Sequence, residues 1–141
     1  MGTDTGYEFF DHTADIGIRA RGETLPALFV HFARGLTELI AEDSDLKPRE
    51  VRAIRLSAPD ADSLLVAWLQ ELVFWFSTDR FLPAQYALDE VSPTSLRGEV
   101  RGEPFDPSRH TPGREVKAIT RHQLEVRQRD GVWHGQVIVD I

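Results

Sequence analysis

No cysteine occurs among the 141 residues. That removes disulfides, thiolate metal sites and a cysteine nucleophile, and it suits a reducing, cytoplasmic setting. Basic residues are in deficit, with 16 Lys and Arg against 23 Asp and Glu and a net charge of −7. A surface of that sign repels phosphate backbones, so autonomous nucleic-acid binding is disfavoured outside a local arginine patch. Apolar runs are short, none approaching the ~18 residues of a membrane span. Met1 to Gly6 is acidic with no apolar stretch behind it, unlike a secretory signal. A Walker or dinucleotide loop, a zinc-ligand spacing and a Gly-x-Ser-x-Gly elbow are also missing. What remains is the composition of an ordinary globular protein, 41% hydrophobic and 28% charged. It is expected to form one domain over residues 1–141, with residues 1–6 a flexible N-terminal tail.

The most polar concentration is Asp11-His12-Thr13-Ala14-Asp15, which runs directly into Ile16-Gly17-Ile18-Arg19-Ala20. In a strand that begins there, Ile16, Ile18 and Ala20 claim the buried face, and Asp15 shares the other with Arg19. Two carboxylates and an imidazole so close together suit a metal or acid/base site. Asp, His and Thr are also common turn residues that hydrogen-bond their own backbone, and the stretch alone does not separate the two readings.

Tyr7 to Phe10 reads as a short strand before that turn. Thr24 caps a helix whose first turn admits Pro26, and Leu25, Leu28, Phe29, Phe32, Leu36, Leu39 and Ile40 recur at spacings of three and four. After a polar link, Val51 to Leu56 is strand-like. Asp60 and Asp62 open a second helix, where the dipole favours acids. Leu64, Leu65, Trp68, Leu69, Leu72, Val73, Trp75 and Phe76 give that helix a wide apolar stripe, which fits core packing better than an aromatic cofactor box. Phe81 to Val91 and Leu96 to Val100 are further strands. Gly102 to Arg114, with three prolines and His110, reads as a long loop able to form a docking surface through Asp106, Arg109 and His110.

Asp130-Gly131 predicts a two-residue hairpin between Ala118 to Gln128 and Val132 to Ile141. Uninterrupted pairing sets Arg129 opposite Val132, His122 opposite Val139 and Arg121 opposite Asp140. His122 then joins Thr120, Leu124 and Val126 on the buried face, and Asp140 is either in a cross-strand ion pair or a metal ligand. Two helices against a mostly antiparallel sheet make a two-layer α+β domain. Its candidate site chemistry is all oxygen: Asp11, Asp15, Asp140 and the terminal carboxylate of Ile141. Such a set selects hard cations, Ca²⁺, Mg²⁺ or Mn²⁺.

Taken together, Asp-His-Thr-Ala-Asp-Ile-Gly at 11–17, the Trp68-Leu69-x-Glu71-Leu72 helix, Gly102-Glu103 with Asp106 and His110, Glu115-Val116-Lys117-Ala118-Ile119-Thr120-x-His122 and Val139-Asp140-Ile141 resemble the archease family. The resemblance runs from Tyr7 to the end of the chain. It implies a compact α+β fold and an accessory protein that is not itself an enzyme. Archeases assist the GTP-dependent tRNA-splicing RNA ligase, promoting guanylylation of its histidine and repeated turnover. The resemblance further implies a divalent-metal site at Asp15, Asp140 and Ile141, with Asp11, His12, His110, Arg121 and His122 as supporting or partner-contacting candidates. RNA would be engaged only through the ligase, and no membrane is involved. One departure stands out: family members usually carry Tyr where this chain has Arg121, and a guanidinium opposite Asp140 would weaken a cation there. Two alternatives stay open, a small metal-dependent phosphoesterase and a direct RNA-binding module.

Overall fold

The computed structural model describes residues 5–12 and 15–141. Thr13 and Ala14 lie outside the described residues, as do the side chains of Asp11 and His12. The chain opens with strands β1 (Tyr7–His12) and β2 (Asp15–Gly22), then helix α1 (Leu25–Ile40), short β3 (Ala41–Glu42) and β4 (Glu50–Ser57). Helix α2 (Ala61–Asp79) precedes β5 (Phe81–Val91), β6 (Ser95–Pro104), β7 (Thr111–Pro112), β8 (Ala118–Ile119), β9 (Glu125–Arg129) and β10 (Val132–Asp140). The fold is α+β, as the sequence predicts, and the strand pairs are antiparallel. The strands divide into three sheets: β1-β2-β10 with β8 and β9 both paired to β10, then β4-β6-β5, and the pair β3-β7.

Local chemistry accounts for the helix boundaries. Thr24 Oγ1 accepts the Ala27 N–H at 3.1 Å, and Asp60 Oδ1 accepts the Ser63 N–H at 2.7 Å. Each bond satisfies a donor that a helix start leaves open, an effect of about 1 kcal/mol. The predicted stripe of α1 is buried from Leu25 to Ile40. Trp68 of α2 is fully buried and its indole N–H donates to the Phe29 carbonyl at 2.9 Å, so it is a core residue that ties the two helices together.

One continuous apolar cluster links both helices to both larger sheets, taking Ile18, Val137 and Val139 from one and Ile54, Leu96 and Val100 from the other. Burial of these alternate residues leaves Asp15, Arg19, Arg21, His134, Gln136 and Asp140 on the opposite, outer face of the first sheet. β10 lies against β2 over its full length, from Trp133 opposite Gly22 to Asp140 opposite Asp15. This pairing brings residues 15 and 140 together from distant parts of the sequence.

Candidate functional site

The strand register assembles one row of residues at the end of the first sheet. His12 pairs with Asp15, Asp15 with Asp140, and Asp140 with Ala118. Directly opposed residues on neighbouring antiparallel strands hold their Cβ atoms about 4.5–5.5 Å apart, and like charges so placed repel. Asp15 and Asp140 are both half-buried. A hard cation shared between the two carboxylates reverses the sign of that interaction.

The backbone around the pair is pinned. Lys117 N–H donates to the Asp140 carbonyl at 2.8 Å, and Ile141 packs its side chain against the core, which fixes its main-chain oxygens beside Asp140. The adjoining row is apolar: Phe10 pairs with Gly17, Gly17 with Ile138, and Ile138 is fully buried. A Cβ at Gly17 would lie 2.1 Å from the Phe10 ring, so only glycine lets that ring cover the strand next to the carboxylates. Among the described residues no third His, Asp or Glu side chain completes a ligand cluster with them. Asp15, Asp140 and a main-chain oxygen of Ile141 suit a hard cation whose remaining positions are filled by water or by another molecule.

The expected contact between Arg121 and Asp140 is not formed. The predicted pairing holds from Arg129 opposite Val132 to Glu125 opposite Gln136 and then breaks, since Ile119 is opposite Val139 and Ala118 opposite Asp140. Three steps along β10 therefore face six on the other side, and the extra residues leave the sheet as a bend. Gln123 takes a positive φ of 55° there, and Thr120 Oγ1 donates to the Ile138 carbonyl at 2.9 Å. The Val126 N–H donates to Asp62 Oδ1 at 2.8 Å, which anchors the bend to the start of α2. Arg121 accordingly reaches Ser63 Oγ at 3.2 Å. His122, placed by the uninterrupted register among core residues, is exposed. A two-residue hairpin predicts pairing only until a bulge intervenes, and no residue between 120 and 124 announces one as Gly or Pro would.

His110 departs from its expected surface role as well. It is 3% exposed and stacks near Phe105. The Asp106 N–H donates to His110 Nδ1 at 2.8 Å, so Nε2 carries the proton and donates to Glu103 Oε2 at 3.1 Å. Glu103, 2% exposed, also accepts the Lys47 N–H at 2.7 Å and a bond from Arg109. Burial alone would raise the Glu103 carboxyl, but the Lys47 N–H, His110 and Arg109 outweigh it and hold the group below the ordinary carboxylate value. This cluster folds residues 103–110 into a tight turn in place of a long open loop. Sequence reasoning noticed Gly102-Glu103 and His110 but not that they bond to each other; an acid and a histidine seven apart across a proline-containing turn were the available signal.

The model of the Archease protein family matches residues 7–141. The archease of Methanosarcina mazei is 34% identical over 139 residues, covering 96% of this chain and 95% of that protein. The archease of Saccharolobus islandicus is 37% identical over 137 residues, with 96% and 98% covered. The solution structure of Methanobacterium thermoautotrophicum protein 1598 superposes with a TM-score of 0.81 at 34% identity, covering 97% of this chain and 99% of that one. An archease from Thermotoga maritima, described as a possible chaperone, shares the fold with a TM-score of 0.67 at 18% identity, 94% of each chain being covered. With the family model spanning all but the first six residues, this chain belongs to the archease family.

Proposed function

We propose that this protein is an accessory factor for a GTP-dependent tRNA-splicing RNA ligase, promoting guanylylation of that enzyme and its repeated turnover, and that it acts through a divalent cation held by Asp15, Asp140 and a main-chain oxygen of Ile141. Family membership supports the partner class. The observation that carries the site is the direct cross-strand opposition of Asp15 and Asp140. When bound, a Ca²⁺, Mg²⁺ or Mn²⁺ ion there would supply positive charge that attracts and orients phosphate oxygens.

The chain's own residues do the rest. The two aspartates are carried on strands locked by their neighbours, so they meet a cation with little loss of side-chain freedom. The apolar row of Phe10, Gly17 and Ile138 keeps water from screening one side of the pair. With a net charge of −7, the surface as a whole repels an RNA backbone, so outside a local arginine patch the protein engages RNA through the ligase. Phosphoester hydrolysis is the weaker reading, because among the described side chains no third His, Asp or Glu joins Asp15 and Asp140 in a ligand cluster. A multiple-turnover assay with the reconstituted ligase tests the proposal. Asp15→Ala is expected to abolish stimulation of turnover, and full stimulation by that variant would remove the notch from the mechanism.

A further inference from the structure

The same outer sheet face carries a second constellation, of opposite sign. Arg21 of β2, His134 of β10 and Arg127 of β9 lie directly opposite one another, so three basic side chains share one cross-strand row in an acidic protein. Arg129 stands opposite Val132 at the next outward position. Such a row is self-repelling once its imidazole is charged. The adjacent row holds Glu8, paired with Arg19 at 3.5 Å, and Glu125. Glu125 reaches Arg127 of the basic row itself at 3.5 Å with both side chains about half exposed, a contact that an incoming phosphate group would have to displace. Gln136 in that row is tied at both ends, accepting from Arg19 Nε at 3.3 Å and donating to the Gln123 carbonyl at 2.9 Å.

Two concavities of about 540 and 520 Å³ adjoin over the basic row, and both are lined by Gly6, Arg21 and His134. Arg127 lines the first together with Arg19, Glu8 and Glu125, and Arg129 lines the second together with His31, Glu23 and Asp130. Each lies in the size range of a small-molecule site. Guanidinium groups on separate strands, converging from either side of an imidazole, match a phosphate group that needs several donors at once.

We propose that the Arg21–His134–Arg127 row binds a multiply charged phosphate group, carried either by a free polyphosphate ligand or by the phosphorylated end of an RNA strand. Arg21 stands six residues along β2 from Asp15, roughly 20 Å at the rise of a strand. One phosphate group does not touch both sites, so this proposal stands apart from the cation notch and from the ligase reading.

Calorimetric titration of the full-length protein with inorganic tripolyphosphate at fixed ionic strength tests it. Saturable binding is expected, weakened about tenfold by Arg21→Gln or by Arg127→Gln, the loss of one charge-assisted contact. Arg97→Gln serves as the control, because Arg97 also faces an arginine, Arg55, but on the other large sheet with Glu90 alongside; it should bind like the parent. Thermal melting of each variant checks folding, and His134→Gln provides a third probe should either arginine variant fail to fold. A short oligoribonucleotide with and without a terminal phosphate distinguishes the source. Tighter binding of the phosphorylated oligonucleotide than of tripolyphosphate, with the same dependence on Arg21 and Arg127, assigns the row to an RNA end, and the reverse order assigns it to a free polyphosphate. No saturable binding of either probe, binding that survives both arginine variants, equal loss in Arg97→Gln, or equal affinity for the unphosphorylated oligonucleotide would each overturn the proposal.

Discussion

Glu103 and the Asp15–Asp140 pair are both acidic sites, yet their surroundings differ in kind. Glu103 is buried and enclosed by donors from Lys47, Arg109 and His110. Asp15 and Asp140 are half-buried, and each has the other carboxylate directly opposite. A carboxylate surrounded by its own protein's donors holds the fold. Two carboxylates set directly opposite each other repel, and a cation shared between them turns that repulsion into attraction. The family motifs include both sites, so motif membership alone does not separate a structural acid from a binding one; the partners do.

The largest effect expected from this contrast is on stability. Glu103→Leu removes the acceptor for three donors and strands the buried His110 N–H, and should cost about 3–5 kcal/mol in denaturant unfolding. A loss below 1 kcal/mol would erase the distinction between the two acids. Acid should act on the same residue. Because the Glu103 pKa is lowered in the folded state, its stabilisation is fully present above the unfolded value of 4.5 and disappears as pH falls through the folded value. Unfolding midpoints measured from pH 6 to pH 2 should therefore fall less steeply in Glu103→Gln than in the parent.

At the notch the expected stability effect is small and of opposite sign. Asp140→Asn relieves a like-charge pair, so without added cation it should unfold at equal or slightly higher denaturant, a gain of roughly 0.2–1 kcal/mol. Arg121→Tyr, which restores the residue usual in the family, sharpens the point further. Since Arg121 turns to Ser63 and not to Asp140, the substitution should leave cation affinity within about twofold, the residue of a screened long-range charge. A tenfold gain in affinity would mean that Arg121 reaches the notch in solution.

How far the sequence predicts this molecule depends on how local each signal is. The helices follow from caps and apolar spacing because Thr24, Asp60 and the stripes act within a few residues. The Asp130-Gly131 turn is equally local: both residues have positive φ, 53° and 79°, and the pairing next to them runs as predicted. That pairing fails at the 120–124 bend because what fixes the bend is tertiary, a bond from Val126 N–H to Asp62 on a helix more than sixty residues earlier. The meeting of residues 15 and 140 is also tertiary. It was legible only through the family resemblance, since no periodicity says which strand lies beside β2. The basic row was missed for the same reason: Arg21, Arg127 and His134 are unremarkable until three strands are laid side by side.

The cation notch is tested most directly by thermal unfolding with and without added Ca²⁺, Mg²⁺ or Mn²⁺. The parent protein should be stabilised by at least one of these ions, by about 2.7 kcal/mol once the ion reaches a hundred times its dissociation constant. Asp15→Asn and Asp140→Asn should each lose that response while remaining folded. An ion-dependent shift of equal size in both variants, or no shift in the parent with any of the three ions, would contradict the assignment of Asp15 and Asp140 as a shared cation site.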